Sequence, residues 1–487
     1  MNPDLINYEI QDVPQQSDIR TEESEPLNPA TNNTRVFRFK INNTGFLDGT
    51  SMITFKLQKG ATATGLTRVN LWNGALGAIK SAVLRVGDYE ICNTQDLSRI
   101  ASVRHLNEDV SVRNNMHGYY LGNALGVMVD SSAGSTDNDG AGAGVGQVRN
   151  DVYASGIDWG HITDGTNHQV FSYSMNTDLK KCEKYGIPLY MLFPCLENRQ
   201  FPLFLFQDYP VILEVEFREA SEYVNDMGKV GADGYVAVDN SVNIAEVKLV
   251  VDYILPPASV MNKYEDDVSK TGYRFEYPKI NLVKKSIPAV TTNREEQEVE
   301  HRLGQEGKEI LKVFQFKKYT KGTDPLAGAV MGNKVLLDQK IDGQDYEEYN
   351  MEVNGQDIFP DFKYNNASQF NEVANALDKP LKVPRCMYFT DPNTQQARLT
   401  QISSGLKGVQ KPLAIDLRNG NAGIIGSGTP VSKGSPLVFK YRRKPSGAVT
   451  DQIVNQKPAM DVSYHIVQSG VAVIKKSGAG TSVLVQA

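Results

Sequence analysis

The side chains that could do chemistry in this chain are its histidines, cysteines and clustered carboxylates. None of the six histidines stands in the H-x-H or H-E-x-x-H pattern that a metal enzyme would use. They are His105, His117, His161, His168, His301 and His465. The cysteines form no C-x-x-C pair, and no histidine lies at a zinc-site spacing from them. They are Cys92, Cys182, Cys195 and Cys386. We therefore expect no metal centre, and free thiols packed in a core in a reducing compartment.

Motifs for nucleophilic catalysis and for phosphate binding are missing from the sequence. There is no G-x-S-x-G nucleophile elbow and no G-x-x-x-x-G-K-[ST] loop. The alternating glycines of 140–146 do not have the G-x-G-x-x-G spacing of a dinucleotide site. Asp137 and Asp139 fit two positions of a calcium loop, but Gly146 stands where the bidentate carboxylate belongs. We therefore expect no enzyme activity, no catalytic residues and no cofactor.

Two charged clusters each allow a chemical and a structural interpretation. Glu214 and Glu216 alternate along a predicted strand, so they share one face, as the paired carboxylates of a glycosidase could. In a chain with 57 acidic residues such pairs arise freely, and we favour a solvated face. The basic run 440–444 could end a strand at a neighbouring subunit or form a solvated turn, and we favour the turn.

The overall charge argues against a protein that grips nucleic acid. Lys and Arg number 51 against 57 Asp and Glu, which gives a formal net charge of -6, whereas phosphate binding needs clustered cations. The first 30 residues lack the shape of a signal peptide. No apolar run approaches the roughly 20 residues that cross a bilayer. These features predict a soluble protein made inside a cell.

The elements that would hold these side chains are short strands. Phe37, Phe39 and Ile41 alternate with basic residues, and a second alternating run covers 53–57. Such patterns place one face on a core and the other in water. Turn pairs such as Asn354-Gly355 punctuate the chain. Together they predict an all-β protein of sandwiches, with short helices at 258–269 and about 367–378.

The composition along the chain divides it into four parts. Residues 1–30 hold seven acidic residues and one basic residue, and we expect an extended arm that orders only when a partner binds it. The first domain covers 31–257, with a long surface loop at about 118–170 and near-continuous apolar strands over 187–217, covered on both faces. A linker with a short helix covers 258–305, and the second domain covers 306–487.

The order of features in the first domain returns in the second. The segment 84–91 is a strand, a Gly-acid turn and a closing Ile, and 351–358 has the same layout. Each half then has a Pro-led apolar strand, at 210–217 and 436–441, and a final alternating strand, at 244–255 and 461–467. This order predicts two domains of one architecture, although strand–turn–helix is common enough in β-rich chains to recur by coincidence.

Two segments carry a family resemblance. Ala82–Ile91 (AVLRVGDYEI) and Tyr185–Phe217, with its Ile-Pro-Leu-led apolar run, resemble strands of the first jelly roll of double-jelly-roll viral major capsid proteins. The chain looks most like those of polinton-like viruses and virophages, within a lineage that includes adenoviruses and giant DNA viruses. The order of elements matches over roughly 30–480, but residue-level motifs cover only about 82–101 and 185–217.

The resemblance implies an all-β fold of two tandem eight-stranded antiparallel jelly-roll sandwiches. It also implies a homotrimer that forms a pseudo-hexameric capsomer of an icosahedral double-stranded DNA virus, with neighbouring capsomers, penton and minor capsid proteins as partners. The 118–170 loop would form an outward tower. Because the arm is acidic, we expect it to dock on basic shell partners rather than on the genome. The alternatives are a penton or spike protein, a β-sandwich carbohydrate-binding protein, and an enzyme on this scaffold.

Overall fold

Backbone hydrogen bonding joins the alternating segments of the chain into antiparallel sheets. The computed structural model describes residues 17–28, 35–59, 67–69, 74–96, 121, 127–129, 147–149, 161–162, 185–197, 200–219, 224–231, 234–237, 242–288, 297–319, 347–362, 372, 375–376, 413–418, 428–443, 459–477 and 480–486.

The described elements of the first half comprise sixteen strands. They are β1 Asp18–Ser24, β2 Val36–Ile41, β3 Phe46–Leu47, β4 Met52–Lys59, β5 Thr67–Val69, β6 Ile79–Val86, β7 Tyr89–Gln95, β8 Val127–Val129, β9 Gln147–Arg149, β10 His161–Ile162, β11 Tyr185–Pro188, β12 Phe201–Pro202, β13 Val211–Phe217, β14 Val224–Gly231, β15 Gly234–Ala237 and β16 Val242–Leu255. Short helical segments lie between them: α1 Leu189–Leu192 and 3-10 turns at Gly74–Ala78, Pro194–Leu196 and Leu203–Phe206.

Helix α2, Ala258–Thr271, follows Pro256-Pro257 and ends at Gly272, whose φ of 73° suits glycine. It separates the first half from ten further strands in the described residues. They are β17 Tyr273–Ile287, β18 Gln297–Gly304, β19 Glu309–Tyr319, β20 Glu347–Val353, β21 Gln356–Asp357, β22 Leu413–Asp416, β23 Thr429–Pro430, β24 Leu437–Arg443, β25 Met460–Ser477 and β26 Gly480–Gln486.

Each half contains two sheets with the same strand order. In the first half the orders are β11-β4-β16-β1 and β2-β13-β6-β7. In the second half they are β22-β19-β25-β17 and β18-β24-β20-β21. The shortest strands also match: β12 pairs with β3 in the first half, and β23 pairs with the start of β19 in the second. The predicted repeat is confirmed, since eight strands of each half occupy equivalent places in chain order.

The inner faces of each pair of sheets form a separate core. In the first half, Phe55 packs edge-on against Phe217 across the sandwich, with ring centroids 5.1 Å apart. In the second half, Phe439 stacks on Tyr349 at 5.9 Å and contacts Tyr464 at 5.1 Å. Such aromatic pairs add about 0.5–1.5 kcal/mol each to the burial of their area. Each half is therefore a β sandwich with its own core, as the alternation predicted.

The acidic segment 17–28 belongs to the first sandwich. Strand β1 pairs along its length with β16, from Asp18 opposite Leu255 to Ser24 opposite Leu249. The chain then crosses to the other sheet, where Leu27 N–H donates to Arg38 O at 2.7 Å. The expectation that this part of the arm orders only on binding is wrong, because it adds an edge strand to one sheet and hydrogen-bonds to the edge strand β2 of the other. Residues 1–16 lie outside the described residues.

Two further expectations need correction. Strands β17 and β18 lie entirely within 258–305, which the sequence assigned to a linker, yet they are the first two strands of the second sandwich. The apolar run 187–217 is not a set of strands covered on both faces. Prolines at 188, 194 and 202 break it into short helical turns, and β13 buries only alternate residues.

Several expected features fall mainly outside the described residues. The 118–170 loop contributes the paired strands β8 and β9, and β10, which pairs with β5. Of the helix expected at about 367–378, the structure describes residues 372, 375 and 376, which are helical. In the part of the chain described, no helix is long and apolar enough to span a bilayer.

Deleting residues 1–28 should destabilise the protein, because it removes β1 and opens two sheet edges. We expect the melting temperature of the first jelly roll to fall by roughly 5 °C or more, since each kcal/mol of lost stability lowers it by about 2–4 °C in a domain of about 150–250 residues. Deletion of residues 1–16 is the matched control, since it leaves β1 and its hydrogen bonds in place. Differential scanning calorimetry of both variants measures the effect, and equal melting temperatures would show that β1 adds nothing.

Candidate functional site

In the part of the chain that is described, the side chains that could act in catalysis or bind a metal do not come together in a catalytic centre. No group of three or more His, Cys, Asp or Glu in those residues could hold a metal ion. The thiols of Cys92 and Cys195 are buried in the first core. The side chains of four histidines and two cysteines lie outside the described set: His105, His117, His161, His168, Cys182 and Cys386.

Glu214 and Glu216 lie on the outward face of β13, as the sequence predicted, and each is paired with a cation. Arg38 Nε donates to Glu214 at 2.7 Å, and Lys80 Nζ donates to Glu216 at 2.6 Å. Burial opposes ionisation of Glu216, but hydrogen bonds from Lys80 and Ser81 outweigh it and lower its pKa. A carboxyl with a lowered pKa remains ionised and is a poor general acid, which supports the interpretation as a charged outer face.

The basic run 440–444 is not a solvated turn in its described part. Lys440 and Arg442 project from β24, which lies between β18 and β20, while Tyr441 between them is buried. Lys440 Nζ lies 2.8 Å from Glu352 and 2.7 Å from Asp357, and these hydrogen bonds raise its pKa. Arg442 bridges Glu298 and Glu348. These two cations are neutralised within the sheet and offer little to a phosphate backbone.

His301 belongs to a buried polar network in the second core. Tyr464 Oη accepts from Gln315 Nε2 at 2.9 Å and donates to His301 Nδ1 at 2.6 Å. His301 Nε2 lies 3.2 Å from Ser286 O, and because a carbonyl only accepts, Nε2 carries the proton. Burial lowers the pKa of His301. The network holds a neutral histidine and orders the core, without access to a substrate.

Buried polar side chains meet at the junction of the two sandwiches. Tyr277 of β17 is buried among residues of the first core and lies near Cys92 and Cys195. Gly470 of β25 permits this approach, because a Cβ there would lie 3.2 Å from the Tyr277 ring. His465 is fully buried, and its Nε2 donates to Asp96 O at 3.0 Å.

Asp96 connects the junction to the first sandwich. Its carboxylate accepts from Arg218, and the two side chains are only 10% and 12% exposed. Arg218 Nε also donates to Ile79 O at 3.2 Å. Asp96 has a φ of 51°, so its backbone turns sharply where β7 ends, and its carbonyl reaches His465. One residue therefore binds an arginine of the first sandwich and a histidine of the second.

A polar cleft of 630 Å³ runs beside this junction. The first sandwich lines it with the Lys80–Glu216 and Arg218–Asp96 pairs, and the second with Lys284, Lys285, Asp461 and other residues. Acidic and basic groups both line it, and the Ser81 hydroxyl donates to the Glu216 carboxylate, which Lys80 also binds. The junction is suited to holding two domains in one orientation.

Comparison with known proteins agrees with this geometry. No family model and no curated protein matches the chain. Among solved structures, VP54 of PBCV-1, fitted into a reconstruction of the virophage Sputnik, matches with a TM-score of 0.56 at 12% identity over 97% of each chain. The Faustovirus major capsid protein matches with a TM-score of 0.52 at 10% identity, over 93% of this chain and 90% of that one. The mavirus major capsid protein matches at 0.51 and 9% identity, over 96% and 90%.

This chain is a double jelly roll. The matches span both sandwiches together. We call residues of β1–β16 the first jelly roll and those of β17–β26 the second. At 9–12% identity the likeness concerns the fold.

Sequence reasoning missed the junction residues. Along the chain, Asp96 lies 122 residues from Arg218 and 369 residues from His465, and none of the three stands in a motif. The only available signal was that Ser463 and His465 interrupt an apolar strand with polar residues on its second face. Such a pattern normally indicates a solvated face, so the signal alone could not identify a domain contact.

Replacing Arg218 with alanine should strongly destabilise the protein. It leaves the Asp96 carboxylate largely buried without that partner, and breaking a buried pair costs about 3–5 kcal/mol. Arg35→Ala is the matched control, because the Arg35–Glu219 pair is 48% and 45% exposed and such pairs contribute about 0–1 kcal/mol. Urea denaturation of both variants tests this, and similar losses would contradict the role of the junction pair.

Acid should weaken the protein through His301. Because its folded pKa lies below the unfolded value of about 6.5, the unfolded chain binds a proton first. Stability is then complete above about pH 6.5 and is lost as the pH falls through the folded pKa. In His301→Gln this part of the acid dependence should disappear. Urea denaturation from pH 8 to pH 5 measures it, and parallel pH profiles for the two proteins would contradict the assignment.

Proposed function

We propose that the protein is the structural major capsid protein of an icosahedral virus, and not an enzyme. Three copies would form a pseudo-hexameric capsomer, and capsomers would tile the shell, so the protein resides in the virion after assembly in the host cell. The observation that carries this is the match of two tandem jelly rolls over 97% of the chain and of VP54. A single jelly roll of the kind used in pentons would match only one half.

The described surface suits a building block. Segment 17–28 covers the edge of β16 and hydrogen-bonds to β2, which ties the start of the first jelly roll to both of its sheets. Outward-facing charges are matched by opposite charges, as at Arg38–Glu214 and Lys440–Glu352. A capsomer subunit needs this rigidity and a large lateral interface.

The partners follow from the same proposal. They are further copies of this chain, neighbouring capsomers, and penton and minor capsid proteins. With a net charge of -6 the protein is not expected to bind nucleic acid sequence-specifically. The acidic residues before β1 are our candidate for docking on basic shell partners. The family resemblance favours a double-stranded DNA virus of eukaryotes, close to polinton-like viruses and virophages.

Electron microscopy of the purified protein tests the proposal directly. We expect negative-stain class averages viewed down the particle axis to show three-fold particles with six lobes. Mass photometry of the same sample should give about three times the 53.8 kDa of one chain. Five-fold particles would instead favour a penton, and a monomer that binds a glycan array would favour a carbohydrate-binding protein.

A further inference from the structure

The turn between β20 and β21 carries the dipeptide Asn354-Gly355, and both residues are exposed. Asn354 has a φ of 54° and Gly355 a φ of 76°. Two positive φ values in succession are those of a two-residue hairpin loop, in which Asn-Gly is a preferred pair. Among the described residues, nothing lies within 4 Å of a Cβ built on Gly355. The tip of this turn is therefore open to water.

An Asn-Gly pair can react with itself, because glycine has no Cβ to hinder its amide nitrogen. The nitrogen of Gly355 attacks the side-chain carbonyl carbon Cγ of Asn354 and loses its proton to water. The bond from Cγ to Nδ2 breaks, and ammonia leaves. Water then opens the five-membered succinimide ring at one of its two carbonyls, which yields aspartate or isoaspartate. This deamidation consumes only water and is one source of the thermal lability of asparagine.

In the folded protein the reacting side chain is held at both ends. Nδ2 of Asn354 donates to Pro430 O at 2.9 Å, and Oδ1 accepts from Ser432 N at 2.7 Å. Together these hydrogen bonds fix the rotation of the side chain. They also engage the nitrogen that must depart as ammonia. The attack by Gly355 therefore requires that the amide first leave both of its partners.

The loop that holds Asn354 belongs to the other sheet of the same sandwich. Pro430 lies in β23, which pairs with the start of β19. Val431 is buried, and its N–H donates to Lys308 O at 2.8 Å. Asn354 thus ties the β18-β24-β20-β21 sheet to the β22-β19-β25-β17 sheet at this end of the second jelly roll. We call residues 430–432 the clamp loop.

We propose that Asn354 is a deamidation site whose reaction the clamp loop controls. While the loop holds the amide, the site is protected, and detachment of the loop permits the attack by Gly355. The product cannot rebuild the contact, because in aspartate a carboxylate oxygen replaces the donor that faced Pro430 O. In isoaspartate the main chain also gains a methylene group, which lengthens the turn. A reversible local opening thus becomes a permanent loss of the tie between the sheets. The inference goes beyond the proposed function and does not depend on it.

Deamidation of the folded protein and of the protein unfolded in guanidinium chloride tests the site directly. Peptide mass spectrometry at one pH and temperature follows the three Asn-Gly pairs of the chain, Asn73-Gly74, Asn354-Gly355 and Asn419-Gly420. In the unfolded chain we expect similar rates at all three. Folding should slow the reaction at Asn354 about tenfold or more, because only the locally opened fraction reacts.

Each outcome of this comparison decides a part of the proposal. Equal rates at Asn354 in the folded and unfolded protein would overturn the control by the clamp loop. An unfolded chain that reacts at Asn73 and Asn419 but not at Asn354 would overturn the site itself. Asn73 and Asn419 lie outside the described residues and serve only as references for the unfolded chain.

A variant that loosens the clamp loop without touching the reacting residues tests the mechanism. Thr429 Oγ1 donates to Leu417 O at 2.7 Å. We expect Thr429→Val to raise the rate at Asn354 in the folded protein about fivefold, which corresponds to the ~1 kcal/mol of one hydrogen bond. Thr271→Val is the matched control, because it removes a threonine-to-carbonyl hydrogen bond in α2. An unchanged rate in Thr429→Val, or equal increases in the two variants, would contradict the role of the loop.

The consequence of the reaction is tested with its product. We expect Asn354→Asp to lower the melting temperature of the second jelly roll by about 2–4 °C. Gln356→Glu is the matched control, because it makes the same amide-to-carboxylate change on an exposed side chain of β21. Calorimetry compares the two variants with the parent. Equal melting temperatures of the two variants would show that the added charge, and not the lost contact, is responsible.

Discussion

The two halves of this molecule are held together because one sheet is apolar or buried on both of its faces. A sandwich normally buries one face of each sheet and leaves the other to water. In β25, Tyr464 and Ile466 point into the second core, whereas His465 and Val467 point the opposite way and are also buried. Val467 clusters on that side with Phe314, Phe316 and Ala376 of the second half itself. His465 is instead covered by the first half, where its ring donates to the carbonyl of Asp96 at the end of β7.

The free-energy cost of burying polar groups determines which hydrogen bonds form at this contact. His465 cannot be buried without a hydrogen bond, and the backbone of Asp96 turns out of β7 to supply an acceptor. The Asp96 carboxylate is then itself largely buried and is compensated by Arg218. Gly470 leaves room for the Tyr277 ring. Substitutions at the contact thus affect groups on both jelly rolls.

Charge is distributed differently on the outer faces. There, acidic and basic side chains lie on neighbouring strands, so that Arg38 meets Glu214 and Lys440 meets Glu352 and Asp357. These pairs contribute little individually, because they are partly solvated. Opposite charges that are matched in this way discourage promiscuous binding.

The sequence by itself determined the all-β class, most strand positions and the internal duplication. Alternation in 37–41 and 53–57 and the Asn354-Gly355 turn depend on local geometry, and local geometry is written in neighbouring residues. Only the tertiary structure decided that 18–24 and 273–287 are the first strands of the two jelly rolls, because their pairing partners lie about 200 residues away. For the same reason, only the tertiary structure decided which residues form the junction of the two jelly rolls. The roles of His465 and Arg218 depend on which distant residues cover them, and no spacing along the chain records that.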